Sequence, residues 1–96
     1  MEENAEVQYQ HGENYYDGTN GVQQDYIEAL KWYRKAAEQG LAKAQNTLGW
    51  MYNVGKGTVK DEAEGVKWYR RAAEQGYAKA QRNLGFAYIN GTGIAI

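Results

Sequence analysis

Residues 25–40, DYIEALKWYRKAAEQG, and residues 61–76, DEAEGVKWYRRAAEQG, are two copies of one stretch of sequence. When the comparison is extended to a full period, residues 25–60 match residues 61–96 at 20 of 36 positions. A shift of 37 residues recovers an earlier, weaker copy nearer the N-terminus. A fixed period of about 20 to 50 residues is the signature of a repeat array, in which each unit stacks on its neighbours. The sequence therefore predicts a solenoid built from a 36-residue unit.

The repeated stretch has the pattern of an amphipathic α-helix. Its apolar side chains recur at i, i+3, i+4, i+7 and i+8, which places them in one stripe along a helix: Ala29, Trp32, Tyr33, Ala36 and Ala37. Asp25 and Asp61 are predicted N-caps, and the Glu three residues after each completes a capping-box pattern. Gly40 and Gly76 are expected to end these helices in the left-handed conformation. The Trp-Tyr pairs at 32–33 and 68–69 are therefore predicted to be core residues rather than a platform for nucleic-acid bases.

A second kind of helix precedes each amphipathic one, and it ends in the turn Gly55-x-Gly57 in the middle repeat. Its glycines are predicted to let two helices approach closely, with aromatic rings filling the space beside them: Gly12, Gly49 and Gly85. We call the two kinds A and B. We expect five helices in the order A, B, A, B, A, at about residues 5–17, 25–39, 42–54, 61–75 and 78–90.

The combined motif is Ala-x-x-Gln-x-x-Leu-Gly-x-x-Tyr-x-x-Gly-x-Gly followed by Asp-x-x-x-Ala-x-x-Trp-Tyr-x-x-Ala-Ala-x-x-Gly, and it resembles the Sel-one-like (Sel1-like) repeat, a branch of the tetratricopeptide class. The resemblance covers nearly the whole chain and implies an all-α, right-handed α-solenoid of helix-turn-helix repeats. It predicts one domain over residues 1–96, with repeats at about 5–40 and 41–76 and a half repeat at about 77–96. Three positions depart from the family pattern: His11 replaces Leu, Gly65 replaces Ala, and Thr58-Val59 replaces Val-Pro. Gly65 is expected to cost about 1 kcal/mol relative to Ala in a helix.

The composition leaves little material for catalysis. The chain contains no Cys and no Ser, which removes the thiol and the commonest hydroxyl nucleophile. Its one histidine, His11, has no evident nucleophile or metal ligand to act with. Gly55-Lys56-Gly57-Thr58 lacks the spacing of a phosphate-binding loop and follows a helix rather than a strand, so it is predicted to be a turn. We therefore expect no enzyme activity, no cofactor and no bound metal.

Charge is distributed unevenly although the net charge is only −1. Residues 1–30 carry seven carboxylates and no Lys or Arg, whereas residues 31–96 carry all eleven basic side chains. A balance this close to zero argues against a nucleic-acid partner, for which a basic domain is expected. No apolar run approaches the roughly 18 residues of a membrane span, and the N-terminus lacks a secretory signal pattern. A soluble chain is predicted, with the bacterial cytoplasm and periplasm both possible compartments.

In the class that the chain resembles, the A helices line the concave face of the stack. Carried onto this sequence, that implies a partner-binding groove made by Tyr9, Glu13, Tyr16, Lys43, Asn46, Trp50, Asn53, Lys79, Arg82, Phe86 and Ile89. Several of these positions differ between repeats that otherwise agree, and large apolar side chains grouped on an exposed face mark interaction sites. We therefore predict a noncatalytic protein-protein interaction scaffold or adaptor for a peptide or protein segment. Tyr9, Tyr16, Trp50 and Phe86 are the predicted apolar anchors, and the acidic N-terminal and basic C-terminal parts are predicted to orient the segment.

Two other functions remain open from the sequence. The third repeat has an A helix and no B helix, so the chain is alternatively predicted to be an assembly module that self-associates through an uncovered edge containing Ile89, Ile94 and Ile96. A hydrolase is a more remote alternative, because no Cys or Ser is present to act as the nucleophile. Light scattering separates the first alternative from a monomeric scaffold, and hydrolase assays address the second.

Overall fold

The computed structural model describes residues 3–91, which form five α-helices and no strand. The helices are α1 (Ala5–Asp17), α2 (Tyr26–Glu38), α3 (Ala42–Val54), α4 (Glu62–Glu74) and α5 (Ala78–Asn90). Each end agrees with the predicted helix to within one residue. Consecutive helices pack against one another in an elongated array of 44 × 25 × 20 Å. The predicted all-α solenoid of about two and a half repeats is confirmed.

The B helices α2 and α4 begin at aspartate caps, as predicted, but the capping box is only half formed. The Asp25 carboxylate accepts a hydrogen bond from the main-chain N–H of Glu28 at 3.1 Å. The reciprocal bond is missing because the N–H of Asp25 donates instead to the carbonyl of Tyr15 in α1, at 2.8 Å. The Glu28 carboxylate turns to Lys31, 3.7 Å away. The same arrangement recurs one repeat later at Asp61, Glu64, Tyr52 and Lys67.

The core lies between the B helices and the A helices on either side of them. Its buried side chains form two clusters: Ala36, Ala37, Ala44, Leu48 and Trp68 in one, and Ala29, Tyr33 and Met51 in the other. Three members of the two Trp-Tyr pairs are buried as predicted, but Trp32 is only half-buried. Its ring lies 4.5 Å from that of His11 and 4.4 Å from the ammonium of Lys35. Trp68 packs against the preceding repeat, whereas no helix precedes α1 among residues 3–91 to cover Trp32 in the same way.

Glycines let the A and B helices of one repeat approach closely. A β-carbon on Gly12 would lie 2.7 Å from the ring of Tyr33, and one on Gly49 would lie 2.8 Å from the ring of Tyr69. The predicted role of these two glycines is confirmed. Gly85 is different, since no described atom lies within 4 Å of its β-carbon position. The part of the chain that the structure describes contains no B helix after α5.

Glutamines at the ends of the B helices bond to the A helix of the same repeat. The Gln75 amide donates to the side-chain oxygen of the buried Gln45 at 3.0 Å and to the carbonyl of Gly40, at the end of the preceding repeat, at 2.8 Å. One repeat earlier, the Gln39 amide donates to the side-chain oxygen of the buried Gln8 at 2.7 Å. These bonds satisfy buried amides that would otherwise destabilise the fold. The B-helix glutamines therefore hold the two helices of each repeat together.

Candidate functional site

A cavity of about 210 Å³ lies between the A helices α3 and α5, on the face predicted to form the groove. Its wall includes two large exposed aromatic side chains, Trp50 at 38% and Phe86 at 57% of full exposure. The lining residues are Trp50 and Asn53 from α3, Tyr69 from α4, and Asn83, Phe86, Ala87 and Asn90 from α5. The structure therefore brings together three of the predicted site residues, Trp50, Asn53 and Phe86.

Helical spacing explains how these side chains come to share one wall. Asn46, Trp50 and Asn53 lie at i, i+4 and i+7 of α3 and so occupy one face of that helix. The amide of Asn83 donates to the Asn46 side-chain oxygen at 3.0 Å, which links α5 to α3. The sequence prediction missed Asn83 because it chose the neighbouring Arg82. The i, i+3 relation between Asn83 and Phe86 is the signal that could have identified it.

The back of the cavity is formed by a buried tyrosine. Burial raises the pKa of Tyr69 to about 12, because its charged form would lose hydration inside the protein. Its hydroxyl therefore keeps its proton at neutral pH. The wall of the cavity thus combines aromatic rings with neutral groups that can exchange hydrogen bonds, namely amides and a phenol.

Beside the cavity, Trp50 also belongs to a second arrangement, which we call the aromatic cage: Tyr16, Tyr26 and Trp50. The ammonium of Lys56 lies 4.8 Å from the ring centre of Tyr26, 5.4 Å from that of Trp50 and 5.5 Å from that of Tyr16. All three distances fall within the roughly 6 Å over which a cation is attracted to an aromatic face. The same ammonium donates a hydrogen bond to the Tyr16 hydroxyl at 3.4 Å. Two predicted anchors, Tyr16 and Trp50, are therefore in contact with a lysine of this chain.

Lys56 and Tyr26 were not among the predicted site residues. Lys56 lies in the stretch predicted to be a turn, and Gly55 and Gly57 on either side of it do adopt left-handed conformations, with φ of 76° and 75°. Glu62 occupies the position equivalent to Tyr26 in the next repeat, and no Lys occupies the position equivalent to Lys56. The signal that could have identified both residues is the one used for Trp50, a large side chain at a position that does not repeat.

The predicted residues nearer the N-terminus make contacts within the chain. The Lys43 ammonium lies 2.8 Å from the Glu6 carboxylate and 4.7 Å from the ring centre of Tyr9. Its hydrogen bond with Glu6 raises the pKa of Lys43, so the ammonium keeps its charge at neutral pH. Tyr9 packs on Tyr33, with ring centres 5.2 Å apart, and its hydroxyl lies 3.4 Å from that of Thr47. Tyr9 and Lys43 therefore help to join α1 to the helices beside it and do not line the cavity.

The other predicted residues do not line the cavity. Glu13 is half-buried on α1, whereas Lys79, Arg82 and Ile89 are exposed on α5. Ile94 and Ile96, predicted to form a self-association edge, lie outside the described residues. A second depression, of about 580 Å³, contains none of the predicted groove residues and is lined by Asp25, Tyr26, Ile27, Gly55, Gly57, Thr58 and Val59.

Three further observations concern metal binding, the environment of His11 and membrane-spanning helices. Among residues 3–91, no group of three or more His, Cys, Asp or Glu side chains is placed to hold a metal ion. The His11 ring lies 3.2 Å from the Glu3 carboxylate and 4.5 Å, centre to centre, from the ring of Trp32. No helix in this part of the chain is both long enough and apolar enough to cross a membrane.

The chain was compared with known families and proteins. The family model described as the Sel1 repeat matches residues 5–41, 42–77 and 78–95. A curated plant protein, the ERAD-associated E3 ubiquitin-protein ligase component HRD3A of Arabidopsis thaliana, is 37% identical over 54 residues, which are 56% of this chain and 8% of that protein.

Solved structures show the same architecture. A Sel1 repeat protein from Oxalobacter formigenes superposes with a TM-score of 0.91 at 46% identity, over 95% of this chain and 37% of that one. A protective antigen of uropathogenic Escherichia coli with an SLR fold also gives 0.91, at 47% identity, over 95% of this chain and 19% of that one. Cysteine-rich protein B of Helicobacter pylori gives 0.79 at 29% identity, over 83% of this chain and 59% of that one. The chain thus spans less than two thirds of each of these proteins.

Proposed function

Because this chain belongs to the Sel1-repeat family, whose members are typically protein-interaction scaffolds, we propose that it is a noncatalytic scaffold that binds a peptide or protein segment along the face of α1, α3 and α5. The observation that carries the proposal is the cavity between α3 and α5, whose wall includes the exposed rings of Trp50 and Phe86. Aromatic side chains that flank a depression are the usual anchors of a protein interface.

The polar groups of the cavity suit the main chain of a bound segment. Asn53, Asn83 and Asn90 each offer an amide that can both donate and accept, which matches the alternating N–H and C=O groups of an extended peptide. An apolar side chain of the segment would lie against Trp50 and Phe86. Exposed Lys79 and Arg82 on α5 would favour an acidic group at that end of the segment.

The name of one relative is consistent with such a role. HRD3A is described as an ERAD-associated component of an E3 ubiquitin-protein ligase. The identity of the partner does not transfer with the repeat, because the segment shared with that relative is 8% of its length. The relative supports only the proposal that this chain has a surface that contacts another protein.

The test compares two double variants for capture of proteins from the source organism. Trp50→Ala with Phe86→Ala removes the two anchors, and Ile27→Ala with Val59→Ala removes two exposed apolar side chains that neither line the cavity nor belong to the predicted groove. A protein retained by the wild type is then produced pure, and its kinetics are measured by surface plasmon resonance. We expect the anchor variant to raise the dissociation rate at least tenfold and the control variant to stay within about twofold. Equal binding by the anchor variant and the wild type would refute the proposal that the segment binds in the groove.

A second candidate function, assembly, is supported by the exposed face of α5. Gly85 has no described atom within 4 Å of its β-carbon position, and Tyr88 and Ile89 on the same helix are exposed. Sedimentation at several protein concentrations tests this candidate. A molar mass that rises with concentration in the wild type but not in an Ile89→Glu variant would support self-association, and a constant monomer mass would exclude it.

A further inference from the structure

The ammonium of Lys56 has an unusual environment for a lysine of this protein. Among the residues that the structure describes, Lys31, Lys43, Lys60 and Lys67 each have a carboxylate within 4.0 Å. Within this part of the chain, Lys35 and Lys79 have none and are exposed, whereas Lys56 is half-buried without an ion pair, and its ammonium lies within 5.5 Å of the centres of all three rings of the aromatic cage. A purely aromatic environment is the kind that proteins use to bind alkylated ammonium groups.

The loop after α3 is built to place Lys56 there. Gly55 ends α3 in a left-handed conformation, and its N–H bonds to the carbonyl of Met51 at 2.9 Å. Gly57 lies so close to α2 that a β-carbon on it would overlap the carbonyl of Tyr26. A loop fixed at both glycines holds Lys56 beside Tyr26. The backbone therefore places Lys56 where its side chain can reach the aromatic cage.

The cage occurs once in the repeat array. In the next repeat, Asn53 stands where the first has Tyr16, Phe86 stands where the second has Trp50, and Glu62 stands in place of Tyr26. Only one of these three replacements is aromatic, so the next repeat does not present three rings to a cation. Since the repeat fold forms with or without these aromatic side chains, stacking of the helices does not require the cage.

The charge around the cage favours a cation. Asp17 and Asp25 are the immediate neighbours of Tyr16 and Tyr26, and Glu13 lies one helical turn before Tyr16. Residues 1–30 contain no Lys or Arg. A surface of one sign raises the local concentration of ligands of the opposite sign.

We propose that the aromatic cage is a binding site for an alkylammonium group, the side chain of a lysine or N-methylated lysine in a bound segment, which displaces Lys56. That this lysine belongs to a segment lying in the groove rests on the proposed function above. Trp50 is a wall of both the cage and the cavity, so one extended segment can reach both. Lys56 occupies the cage when no such segment is bound.

Lys56 acts as a tethered competitor. A group attached to the same chain competes at an effective concentration on the order of millimolar, so an external ammonium binds the wild type more weakly than a variant without the lysine. Methylation of the ligand favours displacement, because a methylated ammonium loses less hydration on entering an aromatic site.

The test is a titration with tetramethylammonium chloride, with tert-butanol as a neutral molecule of similar shape. The readout is the NMR signal of the Trp50 indole N–H, identified by its loss in Trp50→Phe. Lys56→Gln vacates the cage, Lys56→Arg keeps a cation in it, and Lys35→Gln is the matched control, because Lys35 lies over the single ring of Trp32. Circular dichroism checks that each variant is folded.

We expect Lys56→Gln to bind tetramethylammonium with a dissociation constant at least tenfold lower than that of the wild type, Lys56→Arg or Lys35→Gln. Adding Tyr26→Leu to Lys56→Gln should abolish the binding, and tert-butanol should bind none of the variants. The cage is refuted if folded Lys56→Gln gives no saturable shift, or if tert-butanol shifts the signal equally. This titration needs no protein partner, so failure of the groove proposal and failure of the cage are separate results.

Discussion

Gly49 of α3 and Gly65 of α4 lie so close together that a β-carbon on Gly65 would be 2.7 Å from the carbonyl oxygen of Gly49. The reverse distance, from a β-carbon on Gly49 to the carbonyl oxygen of Gly65, is 2.8 Å. From the sequence, Gly65 is a departure that weakens a helix by about 1 kcal/mol. In the structure it is the residue that allows α3 and α4 to pack at this distance.

Gly65→Ala is therefore expected to destabilise the protein. The gain in helix propensity of about 1 kcal/mol is outweighed by displacement of packed backbone, which typically costs about 1 to 3 kcal/mol. Gly85→Ala is the matched control, since Gly85 is also within a helix but has no described atom within 4 Å of its β-carbon position, and it should stabilise by about 0.5 to 1 kcal/mol. Urea denaturation measures both, and changes of the same sign would contradict the close contact.

Trp68 and Trp50 should differ in what they contribute to stability. Trp68 is 4% exposed and packs in the core between repeats, so Trp68→Ala is expected to cost about 3 to 5 kcal/mol. Trp50 is 38% exposed, and Trp50→Ala should cost less than half as much. Urea denaturation of both variants and the wild type measures the two losses of unfolding free energy. Equal losses would mean that the faces of α3 and α4 are assigned incorrectly.

Stability should fall in alkaline solution because of buried tyrosines. Burial raises the pKa of Tyr69 to about 12, above its value of about 10 in an unfolded chain. The stability that this group contributes is complete below pH of about 10 and is lost as the pH rises toward 12, since the unfolded chain then releases the proton more readily. Tyr69→Phe should flatten the dependence of the urea midpoint on pH over that range. Curves of identical slope for the variant and the wild type would contradict the assignment.

Charge reversal on α5 should slow association with the segment proposed to lie in the groove. Lys79→Glu with Arg82→Glu should lower the association rate for a segment with an acidic end, and the effect should shrink toward roughly 1 M salt, where the Debye length is about 3 Å. Lys43→Glu should have a smaller effect, because Lys43 is already paired with Glu6. Plasmon resonance at low and high salt, with the captured partner, measures this. An effect that does not depend on salt would contradict electrostatic steering.

The 36-residue period and the spacing of apolar residues within it were enough to predict the five helices and their order. The aspartate caps and the buried Tyr33 and Tyr69 also follow from the sequence, because each is set by local spacing within one repeat. Trp68 is buried as predicted because the preceding repeat packs against it. Trp32 was predicted incorrectly as a core residue. Its burial depends on what lies outside its own repeat, which its place in the motif does not encode.

The candidate site was predictable only in part, because some of its contacts join residues of different repeats. Trp50, Asn53 and Phe86 could be placed on one face from the family resemblance together with helical phase. The lysine in the aromatic cage could not, since it reaches Tyr16 across 40 residues from a loop whose path depends on the backbone angles of Gly55 and Gly57. Ion pairing of Lys43 with Glu6 also joins two repeats, and a pattern read within one repeat does not reveal it.

The hydrogen bonds of Gln39 and Gln75 make each repeat complete in itself. Each of these glutamines bonds to a buried glutamine of the A helix in its own repeat, Gln8 or Gln45. The two pairs are 31 and 30 residues apart, so the connection between the helices of a repeat can change by one residue without loss of the bond. Every inserted copy of the unit would bring its own donor and acceptor, and so would avoid the cost of about 1 to 3 kcal/mol for a buried amide without a partner. The array can therefore be lengthened unit by unit.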